Sequence, residues 1–135
     1  RIESRLASLL DVPPTVLDLA GVPIPEHMDG CSLVPLTRGD DRTSWRDTIL
    51  AEFHGLHFPY PQRMLRTDRY KLVVNPGDVN ELYDLAVDPD ELHNRYDHPE
   101  LAETRNHMYG RLQEELERRG DPLHHWMAAM EGAGR

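Results

Sequence analysis

The sequence predicts an α+β fold, in which a small antiparallel sheet of about four strands carries a long C-terminal helix. Four short stretches between residues 48 and 85 have the length and composition of strands, and tight turns separate them. Apolar side chains then recur at helical spacing after the sheet. A shorter helix and a proline-rich connector precede the sheet, which places most of the predicted core in the second half of the chain.

The clearest strand pair covers residues 63–67 and 70–75, because only Asp68 and Arg69 separate them, a connection of hairpin length. A first strand is predicted over residues 48–53, where apolar and polar side chains alternate. Pro76 and Gly77 turn the chain towards a fourth strand over residues 81–85.

The first helix is predicted to begin near Pro13 or Pro14, with Asp11 as a plausible N-cap, and to end at Gly21. Residues 22–39 contain three prolines and the turn-forming pair Asp29-Gly30. This composition predicts an extended connector, because proline interrupts helices and strand ladders. Polar residues 39–44 are the best candidate boundary within the chain.

The longest helix is predicted over residues 99–119 and ends at Gly120. Its apolar positions recur at helical spacing and are Leu101, Met108, Leu112 and Leu116. Arg105 stands at the one position of this series that has no apolar residue. A further short helix is predicted over residues 123–130.

The composition excludes some classes of function. The chain has 135 residues and a net charge of −9, which argues against a nucleic-acid partner because phosphate would be repelled. The longest apolar runs are only a few residues, so no membrane span is expected. Cys31 is the single cysteine and excludes an internal disulfide. The chain opens on Arg1 rather than Met, and we expect it to be a piece of a longer protein.

The strongest candidate site combines Glu52 and His54, which share one strand face, with His57 three residues further on. A carboxylate and two imidazoles can bind zinc or transfer protons, but no further ligand follows at a recognisable spacing. Polar side chains lining a cleft at the strand end are the favoured interpretation. Cys31 lacks a neighbouring base and is interpreted as a small apolar side chain.

Three arginines of the hairpin are candidates for binding an anion such as sulfate or phosphate: Arg63, Arg66 and Arg69. Arg63 and Arg66 are an odd number of residues apart and cannot share one strand face, so at least one is an ordinary surface charge. The acidic residues Asp84, Asp88, Asp90 and Glu91 resemble a calcium loop only loosely, because the glycine and terminal glutamate of such a loop are absent, and turn capping explains them better.

Four motifs resemble the C-terminal portion of type I sulfatases, members of the alkaline phosphatase-like superfamily. They occur in the order of that family, over nearly the whole chain: PTVLDLAGV within residues 11–36, MDGCSL, RTDRYK within residues 63–72, and ELYDLAVDPDELHN at residues 81–94. Each motif is weak alone, and the series of four is specific.

The resemblance implies a parent enzyme that hydrolyses sulfate esters or sulfamates. Calcium and a formylglycine made from cysteine or serine would lie in its N-terminal domain, outside this chain. Residues 1–39 would be the C-terminal edge of the α/β catalytic domain, and residues 45–135 the C-terminal subdomain, which helps to shape the substrate pocket. Cys31 does not fit the formylglycine signature, so no catalytic or metal-binding residue is carried over.

On position alone, His54, His57 and Arg63 are candidates for the rim of the substrate pocket. The implied partners are a small-molecule or glycan sulfate ester, bound by the parent enzyme, and the missing catalytic domain in cis. We expect no turnover from this chain alone.

Two alternatives stay open. The chain is either a non-catalytic binding module of the same fold or the C-terminal part of a phosphonate or phosphate monoester hydrolase of the same superfamily. A free-standing module would bury Val16, Leu17 and Leu19 within the chain, whereas a fragment would leave that helix exposed.

Overall fold

The structure is a computed structural model that describes residues 2–40, 44–57 and 59–125. The chain divides into two compact units, residues 1–49 and 50–135. The first unit contains the helices α1 (Val12–Leu19) and α2 (Val34–Arg38). The remaining elements are the strands β1 (Ile49–Phe53), β2 (Gln62–Arg66), β3 (Tyr70–Val74) and β4 (Glu81–Asp84) and the helix α3 (Ala102–Arg119).

Helix α1 ends at the residues that the sequence predicts. Gly21 has a φ of 69°, a conformation that glycine adopts without steric cost. The N–H groups of Gly21 and Val22 donate to the carbonyls of Asp18 and Leu17, at 3.0 and 2.9 Å. These bonds satisfy the last carbonyls of the helix and confirm Gly21 as its stop.

The prediction of an extended connector over residues 22–39 is wrong for its last part, where α2 forms. Pro35 lies in the first turn of α2, and the missing N–H of proline has no helical partner there in any case. Gly39 ends the helix with a φ of 77°. A proline at this position therefore starts a helix instead of preventing one.

The predicted four-stranded antiparallel sheet is confirmed, with the strand order β1-β2-β3-β4. Leu72 in the centre of β3 lies opposite Leu65 of β2 and Leu82 of β4. The Thr67 N–H donates to the Tyr70 carbonyl at 2.8 Å and closes the tight turn around Asp68 and Arg69.

The core of the second unit forms between one sheet face and α3. It consists of buried apolar side chains from β2, β3, β4 and α3: Leu65, Leu72, Val74, Leu82, Met108, Leu112 and Leu116. Leu50 of β1 packs against this cluster, whereas Ala51 and Phe53 are exposed. The long helix thus covers one face of the sheet, as the sequence predicts.

Helix α3 follows a single 3₁₀ turn, Pro99–Leu101, and ends at Gly120, whose φ is 66°. Arg105 occupies the helical position that lacks an apolar residue. Its guanidinium donates to the Tyr96 carbonyl at 2.8 Å and lies 5.2 Å from the centre of the Tyr96 ring. The further helix predicted over residues 123–130 extends beyond the described residues. None of the helices in the described ranges is long and apolar enough to cross a membrane.

The division between the compact units falls at Ile49, a few residues after the predicted boundary at residues 39–44. Trp45 and Arg46 account for the difference, because their side chains bind within the first unit. The Trp45 indole donates to the Leu6 carbonyl at 2.6 Å, and Arg46 binds Asp11. The assignment of residues 1–39 and 45–135 to two domains of a larger enzyme stays a prediction.

Candidate functional site

A cleft with a volume of about 570 Å³ lies in the second unit, next to the end of β2. Its walls are mostly apolar and include three prolines. Among the described residues, those lining it are His54, Pro61, Arg63, Pro76, Gly77, Asp121, Pro122 and Leu123. An open apolar pocket with a few polar groups is a usual form of ligand site.

Arg63 lies at the base of this site because it shares a strand face with Leu65, and that face is the core face. Only 4% of its side chain is exposed. Its Nε donates to Asp121 Oδ2 at 2.7 Å, and its Nη1 donates to the Gln62 carbonyl at 2.9 Å. Asp121 therefore neutralises the buried guanidinium, as a charge in the interior requires.

Asp121 is positioned by the end of α3, since it follows Gly120 directly. The Leu123 N–H donates to Asp121 Oδ1 at 2.8 Å. Burial raises the pKa of the Asp121 carboxyl, but the hydrogen bonds from Arg63 and Leu123 outweigh burial, so the pKa lies below its ordinary value. The carboxylate thus stays ionised and joins β2 to the segment after α3.

Glu52 connects His54 with Arg63. Its Oε2 lies 3.1 Å from His54 Nε2 and 3.8 Å from Arg63 Nη2. His54 is 67% exposed, so its imidazole is accessible at the rim of the cleft, whereas Arg63 lies beneath it. This arrangement presents an exposed imidazole above a neutralised cation in a mostly apolar pocket.

The structure brings together two of the three predicted rim residues. His54 and Arg63 line the same cleft, whereas His57 is exposed in the β1–β2 loop and is absent from the described residues that line it. The role of all three in substrate binding stays a prediction. Within the described ranges, no three His, Cys, Asp or Glu side chains are grouped so that they can hold a metal ion.

No local pattern predicts Asp121 as the partner of Arg63, because the two residues are 58 positions apart. The available signal was the position of Arg63 two residues before Leu65. An arginine on the core face of a strand needs a buried counter-charge.

Asp84 also binds an arginine of the hairpin. Its carboxylate accepts bonds from Arg69 Nε and Nη2 at 3.0 and 2.8 Å. The predicted capping of turns is confirmed for two residues, because Asp84 accepts a bond from the Ala86 N–H and Asp88 accepts bonds from the Leu92 and His93 N–H groups.

Replacing Asp121 by asparagine is expected to reduce the loss of stability that acid causes. Because the pKa of Asp121 is lower in the folded state, its stabilisation is present above the unfolded pKa of about 3.9 and fades as the pH falls through the folded pKa. Urea unfolding between about pH 2.5 and pH 6, followed by circular dichroism, measures this change.

The exposed Asp97 provides the matched control. Asp97→Asn makes the same change of residue type at an exposed position, and its loss of free energy of unfolding on acidification is the reference for Asp121→Asn. If Asp121→Asn and the unmodified chain lose the same free energy of unfolding on acidification, the Arg63–Asp121 pair does not stabilise the fold in the way described.

Comparison with known proteins identifies the family. The model of the family described as N-sulphoglucosamine sulphohydrolase, C-terminal, matches residues 1–118. The chain belongs to this sulfatase family. Its relatives include arylsulfatase K of Gallus gallus, 40% identical over 103 residues, which cover 67% of this chain and 19% of that protein. A protein of unassigned function from Haemophilus influenzae is 37% identical over 126 residues, 93% of this chain and 64% of that protein.

Solved structures of sulfatases have the same fold. A 2-O GAG sulfatase, BT1596, superposes with a TM-score of 0.76 at 32% identity, over 82% of this chain and 25% of that chain. BT4656, solved with its substrate D-glucosamine-2-N,6-O-disulfate, gives a TM-score of 0.71 at 28% identity, over 83% of this chain and 24% of that one.

A phosphonate monoester hydrolase of Agrobacterium radiobacter gives a TM-score of 0.65 at 29% identity, over 86% of this chain and 25% of that chain. These findings confirm the resemblance and the fold class. The chain spans about one fifth of the arylsulfatase K relative and about one quarter of the solved neighbours.

Proposed function

We propose that this chain acts as the C-terminal portion of an enzyme that hydrolyses sulfuric esters. The observation that carries the proposal is the family match over residues 1–118, together with sulfatase relatives that align over two thirds of the chain. In this proposal the formylglycine nucleophile and the calcium site belong to the larger, N-terminal part of the enzyme. The described residues contain no group of three metal-ligating side chains that would replace that site.

The exposed side of α1 supports a fragment over a free-standing binding module. Of the three residues whose burial distinguishes the two cases, Val16 and Leu19 are exposed by 58 and 70%, whereas Leu17 is half-buried. Leu9, in the turn before α1, and Val12 continue the exposed side at helical spacing, with exposures of 88 and 49%. A contiguous apolar stripe of this kind is characteristic of a surface that another part of a protein covers. In the proposed enzyme, the catalytic domain covers it.

The 135-residue chain alone is expected to release no sulfate from an aryl sulfate, because it lacks a formylglycine motif. The measurement is sulfate release by the purified chain over many hours, with a family enzyme of full length as positive control. Turnover that persists through further purification would show that the chain carries its own nucleophile.

The coding sequence upstream of Arg1 tests the wider proposal. A continuous reading frame that contains Cys or Ser, any residue, Pro or Ala, any residue and Arg would support the sulfatase. Its product would then be assayed with an aryl sulfate and with a phosphonate monoester, since the Agrobacterium neighbour favours the second substrate class as an alternative. A start codon directly before Arg1 would instead support the binding module.

We further propose that His54, His57 and Arg63 contribute to the rim of the substrate pocket of that enzyme. His54 and Arg63 line the cleft, and of these two His54 is the exposed residue. In the continuous polypeptide, His54→Ala and His57→Ala are expected to raise KM several-fold with little change in kcat, because they remove binding rather than chemistry. A fall in kcat at unchanged KM would contradict this role.

A further inference from the structure

The three arginines of the hairpin differ in whether a carboxylate neutralises them. Arg63 binds Asp121, and Arg69 binds Asp84. Arg66 has no hydrogen-bond or ion-pair partner among the described residues, although its side chain is partly buried. Its Nε is buried and has no hydrogen-bond partner. A guanidinium whose N–H donors have no partner can bind an oxyanion through charge-assisted hydrogen bonds.

The sheet places a second cation beside Arg66. Arg66 on β2 lies directly opposite Lys71 on β3, so that both side chains stand on the face away from α3. Side chains in such a pair have Cβ atoms about 5 Å apart, and like charges there repel each other. Lys71 is paired with Glu91 and lies 5.8 Å from the centre of the Tyr83 ring.

The carboxylates on this part of the sheet are bound to groups other than Arg66. Glu91 pairs with Lys71, and Glu81 accepts bonds from the Asn75 amide and the Tyr83 hydroxyl. The neighbouring Tyr83 hydroxyl donates to Glu81 at 2.6 Å, and this bond, with burial, raises the pKa of Tyr83 to about 12, so the phenol adds no negative charge near neutral pH. A bound anion would satisfy the Arg66 guanidinium, which has no carboxylate partner among the described residues.

We propose that Arg66, assisted by Lys71, binds a sulfate group on the outer face of the sheet. A planar guanidinium with unpaired N–H groups matches the oxygens of such an anion. The group is either inorganic sulfate or the sulfate ester of a saccharide, which share this chemistry. The oxyanion site rests on the geometry of the sheet, whereas the choice of sulfate over phosphate rests on the proposed function.

The test is an NMR titration of the 135-residue chain with sodium sulfate and, separately, with a sulfated monosaccharide, at constant ionic strength maintained by sodium chloride. Sulfate is expected to shift the backbone amides of Arg66 and Lys71 and the Arg66 Nε–H. Arg66→Gln is expected to weaken binding about tenfold, the value of one charge-assisted hydrogen bond. Arg66→Lys, which keeps the charge but loses the planar donor fork, should weaken it less.

Arg38 provides the matched control, because it is exposed at the end of α2 in the other unit. Arg38→Gln makes the same change in net charge and should leave sulfate binding unchanged. Equal weakening by Arg38→Gln and Arg66→Gln, or unchanged binding in Arg66→Gln, would overturn the site.

The two anion sources are separated by comparing the titrations. A stronger response to the sulfated saccharide assigns the site to a sulfate ester, and an equal or stronger response to inorganic sulfate assigns it to the free ion. Preference for inorganic phosphate over sulfate, with the same loss in Arg66→Gln, would support the oxyanion site and contradict only its link to the proposed sulfatase function.

Discussion

Replacing Gly30 by alanine is expected to destabilise the first unit by about 3 kcal/mol, the upper part of the usual range for overpacking. A Cβ at this position would lie 1.9 Å from the Leu10 carbonyl oxygen and 2.4 Å from its carbon. Both atoms belong to the backbone, so no side chain can turn away to relieve the contact. The segment that contains Gly30 must therefore move away from the turn before α1.

Hydrogen exchange at the Cys31 and Leu33 amides measures this effect locally. These N–H groups donate to Asp11 Oδ1 at 2.9 Å and to Thr15 Oγ1 at 2.8 Å, and both bonds depend on the close approach. The protection of both amides is expected to fall in Gly30→Ala, together with the global free energy of unfolding.

Gly110 provides a control of opposite sign. It lies inside α3, and apart from the adjacent backbone of that helix a Cβ there would meet no atom within 4 Å. Gly110→Ala should therefore stabilise the chain by about 0.5–1 kcal/mol, because alanine has the higher helix propensity and restricts the unfolded chain. If Gly30→Ala proves as harmless as Gly110→Ala, the contact between Gly30 and Leu10 is absent in solution.

Local sequence patterns predicted the elements whose causes are local. The sheet and α3 follow from the spacing of apolar residues such as Leu65, Leu72 and Leu112, which depends on strand and helix periods alone. The ends of α1 and α3 follow from Gly21 and Gly120, because few other residues adopt a positive φ at little cost. Helix α2 was missed because proline was interpreted as a helix breaker at a position where it begins a helix.

Contacts between distant residues were not predictable in this way. Asp11 does occupy the N-cap position of α1, but its side chain makes no capping bond there. Its carboxylate instead accepts hydrogen bonds from the Arg46 guanidinium, 35 residues away, and from the Cys31 N–H, 20 residues away. Asp121 was missed for the same reason. A single sequence shows that a buried charge needs a partner, but not which of 24 acidic residues provides it.

Replacing Asp11 by asparagine is expected to destabilise the first unit by about 3 kcal/mol, the lower part of the range for breaking a buried ion pair. Asp11 has no exposed surface. Its Oδ1 and Oδ2 each accept a bond of 2.6 Å from Arg46, and they also accept bonds from the Cys31 and Ser8 N–H groups at 2.9 and 2.7 Å. An amide has one acceptor oxygen and would leave donors of two segments without a partner.

The ionisation of Asp11 is consistent with this role. Burial raises the pKa of the carboxyl, but the hydrogen bonds from Arg46, Cys31 and Ser8 together lower it further, so its pKa lies below the ordinary value. The stabilisation is therefore present above the unfolded pKa of about 3.9 and fades as the pH falls through the folded pKa. The difference between Asp11→Asn and the unmodified chain should shrink over that range.

Asp18 serves as the matched control for Asp11, since it lies within α1, which begins directly after Asp11, is exposed and accepts a bond from the Ser32 hydroxyl. Asp18→Asn should change the free energy of unfolding by less than about 0.5 kcal/mol. A double-mutant cycle with Arg46→Met then measures the pair itself. Once Asp11 is replaced, removing Arg46 should cost little, because no buried carboxylate is left unpaired.

The two outcomes of that cycle have different meanings for the first unit. Strong coupling between Asp11 and Arg46 would show that this ion pair holds residues 8, 11, 31 and 46 together, and that the exposed apolar side of α1 belongs to a stably folded surface. Additive effects would show that the pair contributes little to folding. Helix α1 would then become stable only when the catalytic domain covers its exposed apolar side. In that case the amides of Val16 and Leu19 are expected to be protected from hydrogen exchange only in the continuous enzyme.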